Sequence, residues 1–399
     1  MSELERFRSD VRDWLEKNAP AELRGRPGSE LEGVWGGRRW KWENAAQKLW
    51  LERCAERGYT APSWPREYGG GGLSREEAKV LAEELRRLKL PPPVIGFGLT
   101  MIGPTLLAFG DEEQKREHLP RISRGEIRWC QGYSEPGAGS DLAGLQTRAA
   151  DAGDHYVVNG TKVWTSYADK ADWIFALVRT DPAAKKQEGI TFLLIDMETP
   201  GVSVRPIKLI SGSSPFCETH FTDVRVPKKN VVHKVNAGWT VAKALLGHER
   251  TMVAEAFGSG GGAGGKRGTL GERAKFHLGS ENGRLADGVL RDQLAQLEMD
   301  THAFALTLQR ARDAAKAGHQ PGPESSIFKV YGTEVNMRRQ ELLVRIAGPQ
   351  GLGWEGPGFD PEELATTRDW LRSRGNSIEG GTSEVQRNVI AKRVLGLPD

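Results

Sequence analysis

The hydrophobic period of this chain changes twice, and that order of periods limits the fold more than any other feature. Up to about Arg124 apolar residues recur at helical spacing. From there to about residue 235 they fall in short runs rich in β-branched and aromatic residues, separated by turn formers. From Gly238 onward helical spacing returns. Blocks of helices, strands and helices, with no internal repeat, predict an α+β architecture. A helical region spans 1–124, a compact β-domain or barrel spans 125–235, and a second helical region spans 236–399.

In the first block, Leu4, Phe7, Val11, Trp14 and Leu15 share one face of a charged segment, so Met1 to Asn18 reads as an amphipathic helix and not as a signal peptide. Trp42 to Gly58 is periodic and stops at a glycine. Ser74, with Glu77 after it, forms a capping box that opens a helix through Arg87. Further helices are expected from about Gly98 and from Glu112 to about Arg124. Leu90 to Gly110 carries no charge and is long enough to span a membrane, but Pro91, Pro92, Pro93 and Pro104 mark a proline-rich approach to a buried helix instead. In the middle block, Asn159-Gly160 lies between His155–Val158 and Thr161–Trp164 and predicts a β-hairpin. Trp173–Thr180, Ile190–Met197, Val202–Leu209 and His220–Val226 read as further strands. In the last block, helices are expected over Ala237–Gly258, Leu285–Ala317, Ser325–Ile346 and Thr382–Val394, with Gly258–Gly268 (GSGGGAGGKRG) a flexible loop.

Composition removes several functions. Lys and Arg number 56 and Asp and Glu 53, a net charge of +3, too weak a field for nucleic acid or an anionic membrane as principal partner. Cys54, Cys130 and Cys217 are far apart, giving neither a disulfide framework nor a metal cluster, so a reducing, cytoplasmic setting is expected. Gly260–Lys266 has phosphate-loop spacing, but Arg267 follows where Ser or Thr is needed and no strand precedes it. His248-Glu249 begins like a zinc-protease motif, but Met252 stands at the second histidine. Gly348–Gly353 lacks dinucleotide-fingerprint spacing, and the histidines show no ligand spacing, so no metal is expected.

Four remaining motifs, in order along the chain, resemble the acyl-CoA dehydrogenase family. Tyr133-Ser134-Glu135-Pro136-Gly137-Ala138-Gly139-Ser140-Asp141 resembles its TEPGAGSD signature. Gly160-Thr161-Lys162-Val163-Trp164-Thr165-Ser166 resembles its G-x-K-x-W-I-T/S-N segment. Leu246 to Arg250 resembles its L-x-x-E-R helix, and Gly381 to Asn388 resembles its G-T-S-x-I-Q-R terminal helix. The resemblance covers nearly the whole chain. It implies an N-terminal helical domain, a middle β-domain and a C-terminal four-helix bundle, with FAD between them, usually in a tetramer. It also implies removal of a Cα proton and a Cβ hydride from an acyl-CoA, giving the trans-2-enoyl thioester and passing electrons to an electron-transfer flavoprotein. A thioester α-proton is weakly acidic, so that chemistry needs a carboxylate base and donors on the thioester oxygen.

The resemblance assigns residues. Gln131, Tyr133, Ser134, Gly139 and Ser140 match cofactor-side positions, Ser140 also contacting the CoA portion. Trp164 and Ser166 match residues flanking the isoalloxazine, and Thr382 and Glu384 match the FAD-contacting terminal helix. Arg250 matches a substrate-binding position. Most of the family carries its base two residues before the threonine matched by Thr382, where this chain has Gly380 with Glu379 beside it. A smaller branch, resembling isovaleryl- and long-chain-type enzymes, carries it on the L-x-x-E-R helix, where Glu249 stands. Helical geometry points the same way. Leu245, Met252, Val253 and Ala256 share a face with Glu249, and a carboxylate among them would be desolvated and have its pKa raised, as a base requires. Glu379 is the second candidate. Gly380 is expected to hold the thioester carbonyl through its backbone N–H and to leave room for a bulky or α-branched acyl group.

Two departures are expected to weaken the half of the site that serves a neighbour. The family's R-x-x-F-G segment is placed at about Gly279–Gly283, without its arginine, and Pro349 replaces a common glycine. These point to an α2β2 heterotetramer with a related subunit as the alternative to a homotetramer. Two other functions fit the same fold: a flavin oxidase or monooxygenase, and a non-catalytic scaffold subunit.

Overall fold

The computed structural model describes residues 2–25, 33–246, 268–318 and 322–398, with nothing stated of the side chains of residues 315 and 316. The chain divides into two compact units, one of Met1–Ile207 with Pro215–Leu246 and one of Lys208–Ser214 with Gly247–Asp399.

The first unit opens with helices α1 (Glu3–Asn18), α2 (Ala45–Glu56), α3 (Arg75–Arg87), α4 (Gly103–Phe109) and α5 (Glu112–Ser123). The expected capping box is present at α3, where Ser74 Oγ accepts from Glu77 N and Glu77 returns to Ser74 N. α1 and α3 are bound by one buried carboxylate. Glu84 accepts from Arg12, Arg8 and Arg87, at 2.7–3.1 Å. The Arg12 hydrogen bond, aided by the other two arginines, outweighs burial and holds its pKa at about 2.

Seven strands follow: β1 (Trp129–Gly132), β2 (Arg148–Asp151), β3 (His155–Ser166), β4 (Trp173–Arg179), β5 (Ile190–Asp196), β6 (Val202–Ile207) and β7 (Phe216–Pro227). They form one sheet in the order β1-β4-β2-β3-β7-β6, with β5 on β4. β4 is buried along its whole length. Its alternate residues serve two cores: Trp173, Phe175 and Leu177 face one that includes Met101, Ile102, Leu106 and Leu119, and Ile174, Ala176 and Val178 face another with Tyr156, Phe221 and Val224. Residues 238–246 are helical, here α6, and bury Val241, Ala242 and Leu245.

The expected hairpin at Asn159-Gly160 is absent. β3 runs straight through that pair, and the chain reverses earlier, between β2 and β3, at Gly153 with φ +93. Asn159-Gly160 instead makes a bulge against β7, with a register shift between Val158 and Gly160. The Asn159 amide pairs with Asp223, donating at 3.0 Å and accepting from its N–H at 2.9 Å. Gly160 has φ +151, and a Cβ there would lie 2.6 Å from Thr147 Oγ1. The Asn-Gly signal is local, and pairing on both edges of β3 overrides it.

The second unit holds α7 (Leu270–Leu278), the short ribbon β8 (Ser280–Glu281) and β9 (Arg284–Leu285), and helices α8 (Gly288–Lys316), α9 (Ser325–Ala347), α10 (Pro361–Ser373) and α11 (Ser383–Val389). Leu290, Leu294 and Leu297 of α8 pack with Val335, Leu342 and Ile346 of α9 in its core. Helical N- and C-terminal regions and, between them in the sequence, a curled sheet make the chain α+β.

Candidate functional site

The first two motifs are joined by a buried ion pair. Glu135, in the loop after β1, and Lys162, in the middle of β3, meet at 2.8 Å with side chains 7% and 0% exposed. Glu135 also accepts from Gln146 N at 2.6 Å and Thr147 N at 2.9 Å, and Lys162 donates to the Tyr133 carbonyl at 3.1 Å. Burial pulls the Lys162 pKa down to about 8, against the pull of Glu135. Burial would raise the Glu135 pKa, but the Lys162 charge and its hydrogen bonds hold the carboxyl below its usual range. Each motif contributes one charge, and the pair pins the 133–141 loop to β3. Val163 N adds a bond to the Ser134 carbonyl at 2.9 Å.

That fastening sets up a second bulge in β3, with a register shift between Lys162 and Thr165. Trp164 sits there in the left-handed region, φ +60, with its indole 52% exposed and edge-on to Phe216 at 5.9 Å. A tryptophan held strained and in solvent is unusual for an all-structural residue. Ser134 and Ser166 are half-buried, and Gly139 and Ser140 are exposed. Gln131 lies half-buried in β1. The Tyr133 ring differs: it is buried in the core, edge-on to Phe175 and Phe192.

In the second unit, Gly380 and Gly381 have φ +61 and +86, and a Cβ on Gly380 would meet nothing within 4 Å. Thr382 caps α11, its Oγ1 accepting from Val385 N at 3.2 Å, and Glu384 is exposed in the first turn. Glu379 is committed elsewhere: Arg372 donates to one carboxylate oxygen at 2.6 Å and Asn376 to the other. Asn336 of α9 in turn holds Asn376 at 2.8 Å, and buried Lys329 donates to the Ser377 carbonyl at 3.3 Å. Lys329 and Asn376 went unnoticed in the sequence because an isolated polar residue on a helix gives no sign of what it supports. Glu249 and Arg250, and the 258–267 loop, lie outside the described residues.

One reading needs correction. Residues 279–283 are the C-cap of α7, strand β8 and the turn into β9. The R-x-x-F spacing is found earlier, at Arg273–Phe276 on α7, with His277 in place of glycine. Arg273 is anchored on α10, donating to Thr366 at 3.1 Å and 3.4 Å from Glu362. The arginine is therefore present, and its spacing to phenylalanine was the missed signal. Cys54, Cys130 and Cys217 are free and buried. Among the described residues no helix is long and apolar enough to cross a membrane, and no group of three or more His, Cys, Asp or Glu could hold a metal ion.

The whole chain matches the three domains of one family: acyl-CoA dehydrogenase N-terminal domain over residues 1–126, middle domain over 130–224 and C-terminal domain over 236–395. The chain belongs to the acyl-CoA dehydrogenase family and is an oxidoreductase of that class. It is 36% identical, over 100% of its length and 99% of the relative's, to acyl-CoA dehydrogenase IpdE1 of Mycobacterium tuberculosis. Among solved structures it resembles the Tcur3481-Tcur3483 steroid acyl-CoA dehydrogenase (TM-score 0.74, 32% identity, covering 99% of this chain and 97% of that one). It likewise resembles the ChsE4-ChsE5 complex of M. tuberculosis (TM-score 0.72, 32% identity, covering 100% and 98%).

Proposed function

We propose that this chain binds FAD and dehydrogenates an acyl-CoA between Cα and Cβ, giving the trans-2-enoyl-CoA and passing electrons to an electron-transfer flavoprotein. The observation that carries this reading is the Glu135–Lys162 pair, which fastens two signature motifs together and leaves Trp164 exposed beside them. The residues fit a flavin. Trp164 offers an exposed aromatic edge, Ser134, Ser140 and Ser166 offer hydroxyls, and a Cβ at Gly137 or Gly139 would meet nothing within 4 Å, so backbone there is open to a ligand. Gln131, Tyr133 through its main chain, Thr382 and Glu384 complete the proposed cofactor-side set.

Bound there, FAD supplies the hydride acceptor. Glu249 takes the α-proton, Arg250 and Ser140 contribute to CoA binding, and the Gly380 N–H donates to the thioester oxygen as charge builds on it. The partners of Glu379 support Glu249 over Glu379 as base, because both Glu379 carboxylate oxygens are already engaged, one by Arg372 and the other by Asn376. The proposed assembly is a tetramer, and the similar Tcur3481-Tcur3483 and ChsE4-ChsE5 structures, each of two different proteins, favour an α2β2 form with a related subunit. The test is product analysis. Incubation with acyl-CoA and a flavoprotein acceptor is expected to give a product two hydrogens lighter. Peroxide formation with oxygen as the preferred acceptor would favour an oxidase and contradict this reading.

A further inference from the structure

A small cavity lies wholly within the first unit, lined by Trp35, residues 94–99, Ile122, Ile127, Arg128 and Trp129, with about 10 Å³ for the centre of a water-sized group. That is room for about one water or one ligand oxygen. Arg128 is only 6% exposed. Its guanidinium lies 4.4 Å from the Trp35 ring centre and 5.3 Å from that of Tyr167. Ring faces attract the charge but do not accept the in-plane N–H hydrogens. Nε is buried without a hydrogen-bond partner, and among the described residues no carboxylate forms an ion pair with this side chain. Asp172, the obvious candidate, gives Oδ2 to the backbone N–H groups of Arg128, at 2.8 Å, and Arg38, at 3.0 Å, and its buried Oδ1 accepts from no donor, Nε included. A buried guanidinium with an idle Nε donor beside a space for one polar atom is a receptor for an oxygen.

The cavity adjoins the start of β1, whose Trp129 lines it. Tyr167, stacked on Arg128, directly follows Ser166, and β1 leads from Arg128 to Ser134. We propose that Arg128 is a specificity-determining residue that receives a hydrogen-bond-accepting oxygen, ketone or carboxylate, at the end of the acyl group remote from the thioester. The inference rests on the acyl-CoA reading.

The test uses the FAD-loaded full-length protein in the assembly in which it purifies. Three CoA thioesters of equal length are compared: plain, ω-oxo and ω-carboxy. The wild type should favour one oxygenated substrate by at least about tenfold in kcat/KM. R128M should erase that preference, mainly through KM, while kcat on the plain thioester stays unchanged. R128K, which lacks the planar fork, should keep only part of it. The favoured substrate tells ketone from carboxylate. If R128M does not fold, the R128K ratio decides, and a ratio equal to wild type overturns the proposal. Preference of the wild type for the plain thioester also overturns it, leaving dehydrogenation intact. Failure to oxidise any thioester overturns both readings.

Discussion

The loops at 133–141 and 376–384 carry most of the residues assigned to cofactor and thioester, and they are built in opposite ways. The first is fastened from below by a sealed ion pair whose members accept or donate to main chain on either side. The second is fastened by the Arg372–Glu379–Asn376 network, by Lys329 on the Ser377 carbonyl and by Gln386 on the Gly380 carbonyl, and only at Gly380 is there open space where a side chain would be. A wall for a rigid planar ring profits from a support that cannot shift. A wall for a variable acyl group profits from having no side chain. The contrast predicts that the first loop is intolerant of change and the second permissive.

The largest effect is expected at Lys162. Lys162→Met leaves Glu135 ionised, buried and unpaired, which costs about 3–5 kcal/mol. Thermal or urea unfolding should show it, together with loss of bound flavin. If Lys162→Met unfolds like wild type, the loop is not held as described. Next is acid. His118 packs among Trp129 and Trp173, and burial depresses its pKa from 6.5 to about 4. The unfolded chain therefore takes up a proton below pH 6.5 that the folded chain refuses until about pH 4. Stability falls through that window by about 3 kcal/mol, and His118→Gln should flatten the fall. Smaller is Gly380→Ala. No neighbour opposes its Cβ, so the cost is the left-handed backbone alone, about 1 kcal/mol. The same variant should lose kcat/KM on α-branched and polycyclic acyl-CoAs more than on straight ones. A wild type that strongly prefers short straight chains would count against the roomy-pocket reading. Smallest is Glu379→Gln, expected to cost at most about 1 kcal/mol as a partly exposed pair and to leave turnover within a few-fold.

Local signals were legible where local physics decides. The Ser74 capping box, the N-terminal amphipathic helix and the Thr382 cap stand where the residues imply. Asn159-Gly160 misled because strand β3 is decided by its two partners rather than by its own turn propensity. α10 went unseen although Asp360, Pro361 and Glu363 spell a helix start, and Asp360 does cap it. The Glu135–Lys162 pair could not be read because its members are 27 residues apart and each looks like an ordinary motif residue. Long-range pairing of this kind leaves no periodic trace in a single sequence.

The central claim is that the chemistry resides on this chain and that Glu249 performs the proton transfer. Anaerobic single-turnover bleaching of the bound flavin by acyl-CoA tests it most directly. Glu249→Gln should keep its flavin content and slow bleaching by at least about a hundredfold, with Glu379→Gln near wild type. Bleaching at the wild-type rate in Glu249→Gln would place the base elsewhere and restore the scaffold reading.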